Sequence, residues 1–132
     1  MLNHDLKFFG QYFAKEQSLP QNTSADGNGG EFHLADLQGS LEVIVKVNAQ
    51  ISLADTKVLT VKLQDKATGG SYADKATIYT KTASGATVLP LGTELARFVL
   101  PTDLKELVKV VISTTDAGAA GKLDIYPRML AR

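Results

Sequence analysis

The chain of 132 residues contains no cysteine and no tryptophan. Without cysteine it can form neither a disulfide framework nor a thiolate zinc site, and it has no thiol nucleophile. Its 14 Lys and Arg residues balance 14 Asp and Glu residues, so the formal net charge is zero. Proteins that bind nucleic acid through its phosphates need a basic excess, so a generic nucleic-acid binder is disfavoured.

The chain also lacks the apolar runs that mark membrane spans and secretion signals. No stretch approaches the roughly 18 consecutive apolar residues of a membrane span. The first five residues, MLNHD, hold no basic cluster, and no apolar run of secretory length follows them. We therefore expect a protein that is made in the cytoplasm and has no membrane partner.

Alternating apolar and polar residues from Glu31 onward predict β-strands. Over residues 41–50 the odd-numbered residues are apolar, whereas Glu42, Lys46 and Asn48 share the opposite face. This period of two is typical of a strand with one buried face. Further strands are predicted at Phe32–Leu34, Leu59–Gln64, Ala76–Lys81, Leu95–Leu100 and Val108–Ser113, and from Leu123 onward.

The composition of the first 30 residues predicts an N-terminal segment (residues 1–30) ahead of a sandwich domain (residues 31–132). Leu6–Phe13 is rich in aromatic residues, and Gly10 interrupts it, which disfavours a long helix. It is expected to form a first strand or an arm. Gln17–Gly30 is rich in Pro, Ser, Asn, Asp and Gly, the composition of an irregular connector.

The number and spacing of the predicted strands determine the expected fold class. Counting the N-terminal segment, about eight strands are separated by turn signals at roughly regular intervals, which indicates an all-β antiparallel sandwich or barrel. Eight strands in two sheets is the count of a jelly roll. Strand count alone does not separate a jelly roll from an immunoglobulin-like sandwich.

No motif for catalysis, cofactor binding or metal binding stands out. His33 occupies an ordinary strand position, and Ser40 lacks the second glycine of a nucleophile elbow. Asp26 and Asn28 match the first two ligand positions of an EF-hand loop, but Glu31 stands where that loop needs glycine. A plain turn is therefore favoured over a weak cation site. We predict a protein that is not an enzyme and that holds no cofactor or metal.

The aromatic residues near the N-terminus are the one candidate binding element. Phe8, Phe9, Tyr12 and Phe13 supply four of the nine Phe and Tyr residues. They fill the core as a first strand, or they anchor an arm onto a partner, since buried aromatics dominate binding hot spots. The four residues are therefore the candidate partner-contact arm, and the sequence alone does not choose between this role and the core role.

The order of the segments along the chain resembles that of a known family. The segments that carry the resemblance are LKFF at Leu6–Phe9, HLADL at His33–Leu37, LEVIVKVN at Leu41–Asn48, LTVKLQ at Leu59–Gln64, ARFVLP at Ala96–Pro101, VKVVIS at Val108–Ser113 and GAAGKLDIYP at Gly118–Pro127. In strand order, loop composition and length the chain resembles the small jelly-roll cement, or decoration, proteins of tailed-bacteriophage capsids. Among these cement proteins, it resembles the type found in a short-tailed Bordetella phage.

This resemblance implies a specific structural role. Such proteins have no catalytic residues, form homotrimers and bind the outer surface of the major capsid protein shell, which they stabilise. The expected location is therefore the exterior of the virion, after synthesis in the bacterial cytoplasm. The alternative is a carbohydrate- or receptor-binding β-sandwich module, for instance a piece of a tail fibre.

Overall fold

The computed structural model describes residues 12–33 and 41–129, and every regular element in these two ranges is a β-strand. The ten strands are β1 (Ala14–Ser18), β2 (Ser24–Asp26), β3 (Phe32–His33), β4 (Leu41–Leu53), β5 (Val58–Lys66), β6 (Ala73–Thr82), β7 (Thr87–Leu89), β8 (Glu94–Val99), β9 (Leu107–Thr114) and β10 (Ala120–Met129). The segment Thr102–Glu106 is a loop that leads into β9.

The strands form two antiparallel sheets, which confirms the predicted sandwich. Sheet A has the order β1-β10-β4, and β7 and β8 pair with opposite ends of β4; sheet B has the order β2-β9-β5-β6, and β3 also pairs with β9. β7 and β8 share one edge position of sheet A, and β2 and β3 share one edge position of sheet B. The ten strands therefore occupy eight positions. The chain alternates between the sheets in the order of a jelly roll.

The core lies between the two sheets and is built from the apolar residues of the alternating strands. β4 and β10 supply one side and β5 and β9 the other, because successive side chains of a strand point to opposite faces. Fully buried core residues include Val43, Val45, Ile51, Leu59, Val61, Leu63, Val110, Ile112, Leu123 and Ile125.

The polar stretch Gln17–Gly30 is more ordered than its composition indicates. The end of β1 and all of β2 lie inside it, on neighbouring edges of the two sheets. The buried Gln17 side chain donates to the Asp26 carbonyl at 2.9 Å and accepts from the Asn28 amide at 2.7 Å. Asn28 pairs through its own side chain with both backbone groups of Lys15. Polar side chains therefore hold this segment on the sandwich in place of a continuous backbone ladder.

Asp116 fastens the loop before β10 to the end of β4. Its side chain is buried, and its two oxygens accept from the backbone amides of Ala54 and Gly118, both at 2.8 Å. These amides, that of Ala54 first, hold the pKa of the Asp116 carboxyl below its usual range. The ionised carboxylate is therefore the form that the fold prefers.

Asp116→Asn should lower the urea midpoint at pH 7, because an amide offers one accepting oxygen where the carboxylate offers two. A lowered folded-state pKa means that the carboxylate stabilises the fold above its unfolded pKa of 3.8, and that this contribution is lost as the pH falls through the lower folded value. The difference in urea midpoint between the wild type and Asp116→Asn should therefore be smaller at pH 3 than at pH 7. An equal difference at both pH values would contradict this role. The exposed Asp103→Asn is the matched control and should leave the midpoint at pH 7 nearly unchanged.

Candidate interaction surface

The outer face of sheet A carries a group of charged and aromatic side chains that point away from the core. On β4, Ile44 lies between Tyr126 of β10 and Arg97 of β8 in register. One step along, Glu42 of β4 lies opposite Arg128 of β10 and Val99 of β8. These residues share one face because their core-facing neighbours, such as Val43 and Val45, point the other way.

A buried carboxylate organises the charges of this face. Oε1 of Glu42 accepts a hydrogen bond from Nη1 of Arg97 and forms an ion pair with Nη2 of Arg128, both at 3.2 Å. The side chain of Glu42 is 6% exposed and that of Arg128 is 13% exposed, whereas Arg97 reaches the surface and also pairs with Glu94. Nε of Arg128 is buried and has no hydrogen-bond partner among the described residues. The charges of Glu42 and Arg128 are therefore largely removed from water.

Two further residues of this face are buried, although they lie outside the core. Ile44 is completely buried and Tyr126 is 5% exposed, yet neither belongs to the cluster between the sheets. The ring of Tyr12 packs against that of Tyr126 with centroids 5.5 Å apart. Burial, with help from the carboxylate of Glu94, raises the pKa of Tyr126.

The open edge of sheet A exposes apolar side chains. β7 and β8 each pair only with β4 among the described strands, and Gly92 and Thr93 between them keep backbone hydrogen bonds to Val47. Val88, Leu91 and Val99 are 53%, 68% and 57% exposed along this edge. We call these three residues the apolar edge. An exposed strand edge with apolar side chains is a typical place for another chain to bind.

The structure separates the members of the predicted aromatic arm. Phe13 is fully buried in the core, where its ring lies against Phe32 with centroids 4.5 Å apart. Tyr12 lies on the outer face of sheet A against Tyr126. Phe8 and Phe9 lie outside the described residues. Whether any of the four contacts a partner stays a prediction.

The residues weighed as ligands or bases in the sequence are not brought together. His33 is exposed on the edge strand β3, and Asn28 is engaged with the backbone of Lys15. Asp26 pairs with Lys109 at 2.9 Å. No group of three or more His, Asp or Glu residues among those described could hold a metal ion.

Two other features bear on the carbohydrate alternative. On sheet B, Lys66 and Lys109 lie 4.9 and 4.3 Å from the ring centre of Tyr72, whose hydroxyl donates to Glu31. Burial, then this hydrogen bond, raises the pKa of Tyr72. A cleft of about 620 Å³ beside Gly121 has no aromatic and no acidic side chain in its lining. Neither place offers the free aromatic surface beside polar groups that is common in small-ligand sites.

No family model and no curated protein matches the chain. Among solved structures, a chain of the infectious bursal disease virus particle is 15% identical over 92% of this chain and 35% of its own length, with a TM-score of 0.36. A mutant VP2 protein of the same virus is 18% identical over 89% of this chain and 29% of its own, with a TM-score of 0.30. This chain thus spans about a third of those proteins, and at such TM-scores they carry no argument about its function.

The described residues also contain no helix with the length and apolar character needed to cross a membrane.

Proposed function

We propose that the chain is a structural protein of a viral capsid, a cement or decoration protein that binds the outer surface of the major capsid protein shell as a homotrimer and stabilises it. It acts by binding and has no catalytic role. Its place is the exterior of the virion of a tailed bacteriophage, and its partners are the major capsid protein and two further copies of itself.

The observation that carries this proposal is a jelly roll with an exposed apolar edge. The eight strand positions have the order β1-β10-β4-β7/β8 and β2/β3-β9-β5-β6. The same architecture is implied by the resemblance of the sequence to capsid cement proteins. The apolar edge supplies a surface on which a second chain can bury side chains that water otherwise contacts.

Charge and symmetry support binding to protein in particular. Zero net charge gives no long-range attraction to DNA and no strong repulsion between copies. A trimer that contacts a shell at three equivalent points gains through multivalency, so each single contact can be weak.

The apolar edge gives the direct test. Leu91→Asp and Val88→Asp each place a charge on this edge and should weaken association, either with the shell or between copies, by about 30-fold or more if the edge is a binding hot spot. Both positions are exposed, so thermal unfolding of the variants should stay close to wild type. Native mass measurement gives the number of chains in the assembly, and co-sedimentation with shells of the major capsid protein measures shell binding.

Ser24→Asp is the matched control, because it adds the same charge at an exposed position on the opposite edge of the sandwich. It should leave both associations unchanged. The proposal predicts a species of three times 14.1 kDa for the wild type. A strictly monomeric chain that ignores the shells would overturn it, and glycan-dependent stabilisation in a thermal melt would favour the carbohydrate-binding alternative.

A further inference from the structure

The turn that follows β2 contains the only Asn-Gly pair of the sequence, at Asn28 and Gly29. The Gly30 amide donates to the Gly27 carbonyl at 3.0 Å, so Asn28 and Gly29 are the two central residues of this turn. Both are exposed to water. An asparagine in such a pair can deamidate readily, because glycine has no side chain to shield its amide nitrogen from the asparagine side chain.

Deamidation of this pair needs only water as a co-reactant. The backbone nitrogen of Gly29 attacks Cγ of Asn28, and the side-chain nitrogen leaves as ammonia with the proton that the Gly29 nitrogen loses. Water then opens the resulting cyclic imide at either of its two carbonyl groups. The product carries aspartate or isoaspartate at position 28, and no group is oxidised or reduced.

In the folded chain, β1 and the residue before it hold both reacting groups. The Asn28 side chain donates from Nδ2 to the Lys15 carbonyl at 2.9 Å and accepts at Oδ1 from the Lys15 amide at 2.8 Å. The Gly29 amide donates to the Phe13 carbonyl at 2.9 Å. Cγ of Asn28 therefore stays turned away from the Gly29 nitrogen, and that nitrogen keeps its proton, until these hydrogen bonds break.

The turn also packs closely against the start of β1. A Cβ atom added at Gly29 would overlap the Tyr12 carbonyl oxygen, so only glycine allows this approach. The Asn28 amide donates to Oε1 of the buried Gln17 side chain at 2.7 Å. All of these contacts join the turn to β1 or to the residues directly before it, so they are lost together when β1 detaches.

We infer that Asn28 is a deamidation site that β1 protects: the reaction is slow while β1 is docked beside β10 and fast once β1 detaches. The product favours further detachment, because a carboxylate at position 28 has no N–H to donate to the Lys15 carbonyl. Deamidation therefore converts a transient opening of β1 into a lasting one. The inference does not rest on the proposed function, because it concerns the folded chain alone.

Mass spectrometry of peptides from the full chain, incubated at mildly alkaline pH, measures how fast Asn28 becomes an acid. The rate in native buffer should be lower than that in urea by about tenfold or more, because the site reacts only from the open state. Asn22 is the internal control for the chemistry, since the β-branched Thr23 that follows it shields the backbone nitrogen. It should react slowly in both solutions. Equal rates for Asn28 in native buffer and in urea would overturn the inference.

Gln17→Ala tests whether β1 supplies the protection. In native buffer it should raise the rate at Asn28 by about tenfold or more, because it removes a link between β1 and the turn. Gln21→Ala is the matched control, since the Gln21 side chain donates to the Ala119 carbonyl and not to this turn. Circular dichroism establishes that both variants are folded. Equal rates at Asn28 in the two folded variants would contradict protection by β1.

Asn28→Asp tests the effect of the product. Amide hydrogen exchange over residues 14–18 should become faster by about tenfold or more, whereas exchange in β5 and β9 should not change. Asn22→Asp adds the same charge to the same polar segment and should leave exchange in β1 as it is. Exchange in β1 of Asn28→Asp that equals the wild-type value would show that the product does not loosen β1, against the inference.

Discussion

Phe13→Ala should lower the free energy of unfolding by about 3–5 kcal/mol. The side chain is completely buried, and its ring packs on that of Phe32 at a centroid distance of 4.5 Å. Removal of the ring leaves a cavity at the point where the N-terminal segment enters the core. Chemical unfolding followed by far-ultraviolet circular dichroism measures the loss, and the melting temperature should fall by on the order of 10 °C or more.

Val99→Ala is the control for Phe13→Ala, because Val99 is 57% exposed. Its free energy of unfolding should stay within about 0.5 kcal/mol of wild type. A Phe13→Ala variant as stable as this control would show that Phe13 does not lie in the core. Phe13 would then be available to a partner, as the other interpretation of the aromatic segment requires.

Glu42→Ala should destabilise the fold by about 3–5 kcal/mol, because it removes the partner of a buried charge. Glu42 forms an ion pair with Arg128, whose side chain is only 13% exposed and whose Nε lacks a hydrogen-bond partner among the described residues. Urea unfolding at neutral pH measures the loss. The double variant Glu42→Leu/Arg128→Leu should lose much less free energy of unfolding than Glu42→Ala, since no uncompensated buried charge remains.

Glu94→Ala is the matched control for Glu42→Ala, because both carboxylates pair with Arg97. The side chain of Glu94 is 38% exposed, so its removal should cost less than about 1 kcal/mol. Similar losses for Glu42→Ala and Glu94→Ala would show that the outer face of sheet A is open to water.

The long strands could be predicted from the sequence because their core-facing positions are nearly all apolar. The core-facing residues of β4 from Val43 to Leu53 are all apolar, and those of β5 and β9 are apolar except for Asp65 and Thr114, which a period of two reveals directly. β7 was missed, since three residues are too few to show a period. β2 was missed because Gln17 and Asn28 hold its surroundings through side-chain hydrogen bonds, which composition alone presents as an irregular loop.

The candidate surface was less predictable, because it depends on which strands become neighbours. Glu42 belongs to the polar face of β4, but its partners Arg97 and Arg128 are 55 and 86 positions away along the chain. One local signal was present: Ile44 is an apolar residue at a polar position between Glu42 and Lys46. That single break in the alternation marks the buried centre of the outer face.

Electron cryo-microscopy of shells of the major capsid protein, incubated with the purified chain, tests the proposed function most directly. The proposal predicts additional density on the outer surface, in groups of three jelly rolls at equivalent positions of the shell. Shells that carry no additional density after incubation with the folded chain would contradict it.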